Sequence, residues 1–221
     1  IYDHLGGGFH RYATDNAWHV PHFEKMLYDN AQMIPVLLEA YEISGDIRFA
    51  RAAVQTLDYI HREMTHELGG FYSAEDADSY PLDLSGPDSP APGGHKTEGA
   101  FYVWEKSESD SILDKDESGI FCRYYGVGET GNVKADPSGE FSGKNILYEA
   151  RSIGEVARET GMEEKAVESV VRQAAEKLRT ARNRRPRPFR DEKILVEWNA
   201  LMISALVKAS RILGDEAYLD R

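Results

Sequence analysis

The sequence predicts an all-α protein built as an array of helical hairpins, with minor short strands in its loops. Apolar residues recur at steps of three and four along several segments, which is the period of a helix buried on one face. An internal repeat supports this, because nine of the seventeen positions from 30 to 46 are identical to those from 199 to 215, an offset of 169. Both copies end in a Gly-Asp turn, so the repeating unit is a helical hairpin.

Two helices are predicted at the start of the array. The first covers Lys25 to Ser44, and Gly45 supplies its left-handed cap. Pro35 removes one backbone hydrogen bond, so this helix should bend there and continue. The second helix starts at Ile47 and keeps its apolar period up to the stop at Gly69-Gly70. Because the connection is short, the two helices should form an antiparallel hairpin.

The middle of the chain is predicted to be less regular. Residues 80 to 94 contain prolines and glycines in a pattern that fits neither helix nor strand, which indicates an exposed insertion. Ala100 to Trp104 is a short apolar strand candidate. A charged helix from Ser107 to Tyr125 should break near Gly119, and residues 126 to 143 should form a loop.

The last third returns to helices. Ser152 and Glu155 form a capping box, and Gly161 stops the short helix that follows. A long helix is predicted from Glu163 to Asn183, and a final one from about Glu197 to Leu213. Since the two repeated helices share their inward residues and turns, we expect them at equivalent inner positions about three hairpins apart.

Composition excludes several classes of protein. The 221 residues are 41% hydrophobic, which is too apolar for a disordered chain. The net charge of −12 repels nucleic acid and anionic lipid, and no apolar stretch is long enough to span a membrane. With the single Cys122 no internal disulfide can form, so we expect a cytoplasmic protein.

Six arginines between 179 and 190 are an exception to the acidic balance. Such a run is able to bind phosphate or RNA. We interpret it instead as the cationic end of a helix followed by a surface loop stiffened by proline.

Dense polar and aromatic clusters precede both repeated helices, and in a closed ring these helix starts share one rim. A sugar suits such a rim, because its ring stacks on an aromatic face and its hydroxyls bond charged groups. The alternative is that these side chains cap helices and fix loops. The candidates are His22 and His10 as catalytic bases, with Arg11, Trp18, Tyr28, Asp29, Asp191, Glu197, Trp198 and Asn199 as substrate-binding residues.

Four carboxylates form a second candidate group: Glu75 and Glu98 as catalytic residues, Asp76 and Asp78 as substrate-binding residues. Paired carboxylates are required for hydrolysis of a glycosidic bond. Calcium binding and hydrogen bonds that fix a loop are the alternatives. Trp104 is either a further sugar-binding residue or part of the core. His19 and His22 lack a third ligand, so no metal and no cofactor is predicted.

Four long motifs, in order, resemble one family. They run from Trp18 to Ala31, from Gly69 to Ser79, from Glu98 to Trp104 and from Asp191 to Met202. The chain resembles the spermatogenesis-associated, thioredoxin-domain-containing protein family. The resemblance implies a thioredoxin-like domain followed by a six-hairpin (α/α) toroid, which is similar to N-acylglucosamine 2-epimerase and to six-hairpin glycosidases. Residues 1–221 would then be an incomplete portion of that barrel, without the thioredoxin-like domain.

Three functions remain open at this point. The first is an epimerase or isomerase of a reducing sugar, in which His22 or His10 transfers a proton next to a carbonyl. The second is a catalytically silent toroid that binds a ligand or supports the thioredoxin-like domain. The third is a glycoside hydrolase. The expected partners are a small sugar-like molecule and the remainder of the full-length protein, and neither nucleic acid nor membrane.

Overall fold

A computed structural model describes residues 1–81, 95–134, 136 and 139–220. Helices dominate these residues, as predicted, and the strands are only two residues long. The α-helices are α1 (Leu27–Ser44), α2 (Ile47–Glu63), α3 (Lys106–Ile112), α4 (Lys115–Tyr125), α5 (Ile153–Thr160), α6 (Glu164–Arg182) and α7 (Val196–Leu213), followed by a 3-10 turn at Glu216–Leu219. The predicted fold class is confirmed. Most of the predicted insertion at 80–94 lies outside the described residues.

Helices α1 and α2 pack together as the first predicted hairpin. Gly45 ends α1 in the left-handed conformation, with φ 69°, and α1 continues through Pro35, as predicted. Helix α2 ends at Glu63, earlier than predicted. The reason is that Thr65 pairs with Phe71 across the turn that holds Gly69 and Gly70, so the chain has already reversed there.

The first hydrophobic core lies between α1, α2 and α7. Ile34 and Leu38 of α1 are fully buried against Leu57 of α2 and against Met202 and Ala205 of α7. Helix α7 packs directly against α1. The expectation that the two repeated helices stand three hairpins apart is therefore wrong, since they are neighbours.

Helices α3 to α6 form a second core, in which Trp104, Phe121, Val167 and Leu178 are buried. The predicted break at Gly119 is wrong, because Gly119 lies inside α4. The break falls at Leu113 and Asp114, where the Asp114 side chain accepts from the Glu117 amide and starts a new helix.

The capping box predicted at the start of α5 is confirmed. The Ser152 amide donates to the Glu155 carboxylate at 2.7 Å, and the Glu155 amide donates to Ser152 Oγ at 3.3 Å. Gly161 ends α5 in the left-handed conformation, also as predicted. These local signals succeed because each one depends on residues close in sequence.

The strands form three small antiparallel sheets that hold the loops in place. They pair β1 (Tyr12–Ala13) with β2 (Pro21–His22), β3 (Lys25–Met26) and β7 (Arg190–Asp191) with β4 (Ala74–Glu75), and β5 (Asp78–Ser79) with β6 (Thr97–Glu98).

The predicted strand from Ala100 to Trp104 is absent from this part of the structure. Arg185 takes the place of a neighbouring strand there, because its guanidinium donates to the carbonyls of Phe101 and Val103 at 2.8 Å each. Those carbonyls are satisfied without a sheet. Only Trp104 makes a strand-like bridge, with Asn145.

None of the described helices is long and apolar enough to cross a lipid bilayer.

Candidate functional site

The loops before α1 bring two predicted residues, His22 and Glu98, into direct contact. Strand β2 places His22 opposite Tyr12 of β1, and the two rings stack at 4.9 Å. Strand β6 places Glu98 opposite Asp78. His22 Nδ1 lies 2.6 Å from Glu98 Oε1. The short sheets thus bring together residues that lie 10 apart in sequence, Tyr12 and His22, and 20 apart, Asp78 and Glu98.

Glu98 orients the imidazole of His22. An ionised carboxylate only accepts hydrogen bonds, so Nδ1 carries the proton that it donates to Glu98. The Phe23 amide donates to the same oxygen at 3.2 Å, which holds Glu98 in position. Nε2 then points towards Glu24, 3.7 Å from its Oε2 and beyond hydrogen-bonding distance. The His22 side chain is about one quarter exposed, so part of the imidazole is open to solvent.

A row of polar and aromatic groups continues from His22 along the surface. Arg11 donates to Glu24 at 2.8 Å, and this bond raises the pKa of the Arg11 guanidinium, with a smaller contribution from the Tyr28 side chain. The Tyr28 ring meets Trp198 edge to face at 4.8 Å. We call the set of Glu98, His22, Tyr12, Glu24, Arg11, Tyr28 and Trp198 the His22 rim.

Asp29, in the first turn of α1, adds an acid next to this rim. Burial raises the pKa of its carboxyl, and the nearby Arg11 opposes that effect. Its Oδ2 is buried and has no hydrogen-bond partner among the described residues. Of the predicted site residues, the structure thus brings Arg11, His22, Tyr28, Asp29 and Trp198 into one neighbourhood.

His10 and Trp18 lie on the other side of the same loop. Side chains alternate along an extended segment, so Pro21 and Phe23 face away from His22 and Glu24. Pro21 and Phe23 line a small cavity together with His10 and Trp18. The sequence did not separate these two groups, because they interleave within 20 residues.

Glu75 lies in a buried ionic network. Its carboxylate is 1% exposed and accepts from the Tyr59 hydroxyl at 2.7 Å and from Arg187 at 2.7 Å. Arg187 also pairs with Glu63 at 3.2 Å. Both oxygens of Glu75 are occupied, so its role in this structure is to hold loops together.

The arginine run begins in the cationic last turn of α6, as predicted, but only part of the segment after it is an exposed loop. Arg182 is buried and donates to both oxygens of Asp3 at 2.7 and 3.0 Å. Arg185 is buried over the ring of Trp104, 3.9 Å from its centroid, and pairs with Glu108 at 2.8 Å. The sequence could not show the burial of these two arginines, because the carboxylates that balance them lie 77 to 179 residues away. Trp104 is fully buried beneath Arg185.

The remaining predicted residues differ in how they are held. Asp76 accepts weakly from the Asp78 amide at 3.4 Å. Asp191 pairs with Lys193 at 2.8 Å. Glu197 is exposed in the first turn of α7. Asn199 bonds both the amide and the carbonyl of Phe71.

Sequence reasoning missed Tyr12 and Glu24 of the rim, and Tyr102 of the cavity. Both lie within the polar cluster already noted, Tyr12 two residues after His10 and Glu24 two residues after His22. Because side chains two residues apart in a strand lie on the same face, Glu24 could have been predicted from His22. Tyr102 lies outside that cluster, and the sequence around it gives no comparable indication. In the described parts of the chain, no group of three His, Cys, Asp or Glu side chains is arranged to hold a metal.

Comparison with known proteins finds relatives over the whole chain. Spermatogenesis-associated protein 20 of Mus musculus is 41% identical over 98% of this chain, and that of Homo sapiens is 39% identical over 100%. The chain spans about 28% of the length of each. A solved D-mannose isomerase structure matches 97% of this chain and 42% of its own, at 15% identity and a TM-score of 0.32. No protein-family profile matches the sequence.

Proposed function

Because this chain is homologous over its whole length to spermatogenesis-associated protein 20, whose name states no reaction, we propose a function from the site itself. The His22 rim is a sugar-binding site in which His22 transfers a proton next to the carbonyl of a ring-opened aldose. The observation that carries this is the 2.6 Å contact between His22 Nδ1 and Glu98, with Nε2 on the other side of the ring, 3.7 Å from Glu24 Oε2.

A carboxylate behind a histidine is the arrangement that a general base needs. The carboxylate selects one tautomer and stabilises the imidazolium that forms when Nε2 accepts a proton. Glu24, 3.7 Å from Nε2, adds a second negative charge that stabilises the same cation. Proton transfer by such a group typically contributes ~10² to 10⁴ in rate.

The other members of the rim suit a polyhydroxylated substrate. Arg11 and Asp29 provide a donor and an acceptor near the start of α1, and their charges fix hydroxyl groups. Tyr12 is about half exposed and covers one face of His22, while Trp198 and Tyr28 form an aromatic corner. Aromatic faces next to charged groups favour a ring that is apolar on its faces and polar on its edge.

The test is exchange of solvent deuterium into the carbon next to the carbonyl of an aldose, measured by NMR on the complete protein. A panel of common aldoses should contain at least one that exchanges. His22→Ala should reduce that exchange ~10² to 10⁴-fold while the thermal midpoint changes little, because His22 is part of a surface dyad. Glu98→Gln should give a smaller loss.

His61→Ala is the matched control, since His61 is an exposed histidine on α2. It should leave exchange unchanged. If no aldose exchanges in the unmutated protein, or if His22→Ala lowers stability and leaves exchange intact, the proposal is wrong.

A catalytically silent toroid is the second candidate function. The observation in its favour is that several predicted residues are fully engaged within the protein: Glu75 by Tyr59 and Arg187, and Asn199 by Phe71. In that case the rim would bind a ligand or another part of the longer protein without chemistry.

Glycoside hydrolysis has less support. Its two candidate carboxylates are engaged separately, Glu75 by Arg187 and Tyr59, and Glu98 by His22.

A further inference from the structure

Two carboxylates flank the His22 ring, one at each nitrogen. Glu98 Oε1 lies 2.6 Å from Nδ1, and Glu24 Oε2 lies 3.7 Å from Nε2. The first distance is that of a hydrogen bond, whereas the second is about 1 Å too long for one. His22 is thus bonded to a single carboxylate although a second one stands close by.

Arg11 accounts for this difference. Its guanidinium donates from Nη1 to the same oxygen of Glu24, Oε2, at 2.8 Å. The Arg11 amide also donates to the Glu24 carbonyl at 2.9 Å, so the two residues are joined at the backbone as well. Tyr28, in the first turn of α1, interacts with the guanidinium too. An oxygen that already accepts from a held cation gains less by moving to the imidazole.

The charged groups that these contacts bring near the imidazole are three carboxylates and one guanidinium. Glu98 approaches from β6 and Glu24 from the segment after β2, while Asp29 of α1 lies close to Glu24 and Arg11. The ring of Tyr12 covers one face of the imidazole. Nearby negative charges favour the protonated imidazole, so the positive charge of Arg11 opposes them.

We infer that Arg11 is a positioning residue, which holds the Glu24 carboxylate away from Nε2 and so keeps His22 bonded to Glu98 alone. Without the guanidinium, Glu24 Oε2 would move about 1 Å and accept a hydrogen bond from a protonated Nε2. The imidazolium would then lie between two carboxylates and would lose its proton only at higher pH. Such a histidine is a poor base at neutral pH, and this catalytic consequence rests on the proposed function.

Titration of the His22 imidazole tests the inference without any substrate. The complete protein with isotope-labelled histidine would be followed by NMR over a pH series, and the His22→Ala spectrum identifies the His22 signal. Arg11→Gln should move the midpoint of this titration up by about one pH unit, which is a tenfold higher affinity for the proton. The fold should persist, because the Arg11 side chain is 43% exposed.

A second variant separates the position of Glu24 from the charge of Arg11. In Glu24→Gln the midpoint should fall, because a negative charge next to Nε2 is lost. Adding Arg11→Gln to that variant should then change little, since no carboxylate remains to be released. Arg11→Lys should restore most of the wild-type behaviour, because a single guanidinium nitrogen bonds the carboxylate and an ammonium can replace one donor.

Arg48→Gln is the matched control. Arg48 forms an exposed pair with Asp46 at 2.6 Å, beyond the far end of α1, and its loss should leave the His22 midpoint unchanged. An unchanged midpoint in Arg11→Gln overturns the inference. A rise of equal size with and without the Glu24 carboxylate also overturns it, because the effect would then come from the charge of Arg11 alone.

The pH profile of deuterium exchange keeps this inference separate from the proposed function. If His22 is the base, the profile of Arg11→Gln should move to higher pH by the same amount as its titration. A titration that moves while the exchange profile stays in place supports the role of Arg11 and overturns the assignment of His22 as the base. If no aldose exchanges, the proposed function is wrong, and the titration still decides the role of Arg11.

Discussion

At the scale of single residues, this protein buries an unusual number of ionisable groups near its amino-terminal loop. Asp3, His10, Lys25, Glu75, Arg182 and Arg185 are all 6% exposed or less. Burial alone would raise the pKa of Asp3, but Arg182 and Lys25 outweigh it and bring the pKa well below the usual value. The carboxylate therefore stays ionised, and the pairs persist at neutral pH. His10 differs, because it is buried in its neutral form.

The neutral burial of His10 predicts a loss of stability in mild acid. The unfolded chain takes up a proton at His10 near pH 6.5, while the folded protein does not until a lower pH. Below about pH 6.5 the unfolded state therefore binds more protons, and the free energy of unfolding falls by up to ~1.4 kcal/mol per pH unit. Urea unfolding at pH 7, 6 and 5 measures this slope, and His10→Gln should reduce it.

His61→Gln is the control for that experiment, because His61 is exposed on α2. Its slope should equal that of the wild type. Part of the slope should survive in His10→Gln, because burial also lowers the pKa of His4. An unchanged slope in His10→Gln would contradict the assignment.

At the scale of elements, the two repeated helices use one asparagine in the same way. Asn30 accepts from the Phe9 amide at 2.7 Å and donates to the carbonyls of Phe9 and Met26 at 3.1 and 2.9 Å. Asn199 makes the same three bonds, to Phe71 at 2.7 and 3.0 Å and to Leu195 at 3.0 Å. Each phenylalanine follows consecutive glycines with positive φ. The repeat therefore includes a Gly-Gly-Phe segment as well as the helix.

This pairing explains why the 169-residue separation of the repeats does not correspond to three hairpins in the fold. The asparagine lies 21 residues after its phenylalanine in the first copy and 128 residues after it in the second, a difference of 107. Helices α3 to α6 fall within this longer interval. The 169 residues between the two repeats thus comprise the α1–α2 hairpin and the long segment with α3 to α6. This is why α1 and α7 are neighbours in the array.

Asn30→Ala should be clearly destabilising, by about 1 to 3 kcal/mol, because it leaves backbone groups of Phe9 without partners. Asn199→Ala should cost less, since Asn199 is only half-buried and water replaces part of its bonding. Chemical denaturation of both variants measures the difference. Asn183→Ala, at the exposed end of α6, is the control and should be near neutral. Equal costs at Asn30 and Asn199 would contradict this account.

At the scale of the whole molecule, α7 has one covered face and one open face. Val196, Ile203 and Val207 lie seven and four residues apart and are 83%, 58% and 54% exposed. Ile34, the repeat counterpart of Ile203, is fully buried. The isoleucine at this position of the repeat is therefore covered in α1, whereas in α7 the described residues leave it exposed.

Produced alone, the 221-residue chain should associate through this face in a concentration-dependent way, because contiguous exposed apolar residues favour contact. The double change Ile203→Glu and Val207→Glu should weaken association about tenfold or more without lowering the thermal midpoint, since neither side chain is in the core. Sedimentation velocity at several concentrations measures this. Leu68→Glu, a single exposed leucine in a turn, should have no effect. A chain that is monomeric throughout would contradict the prediction.

Most helices, their caps and the hairpin class follow from the sequence alone, because they depend on residues three or four apart, as at Gly45, Ser152 and Gly161. The contact of His22 with Glu98 does not, since 76 residues separate them and two short sheets are needed to bring them together. The burial of Arg182 against Asp3, 179 residues away, is decided in the same way. An isolated charge prefers water, so its burial depends on a partner that only the folded chain supplies.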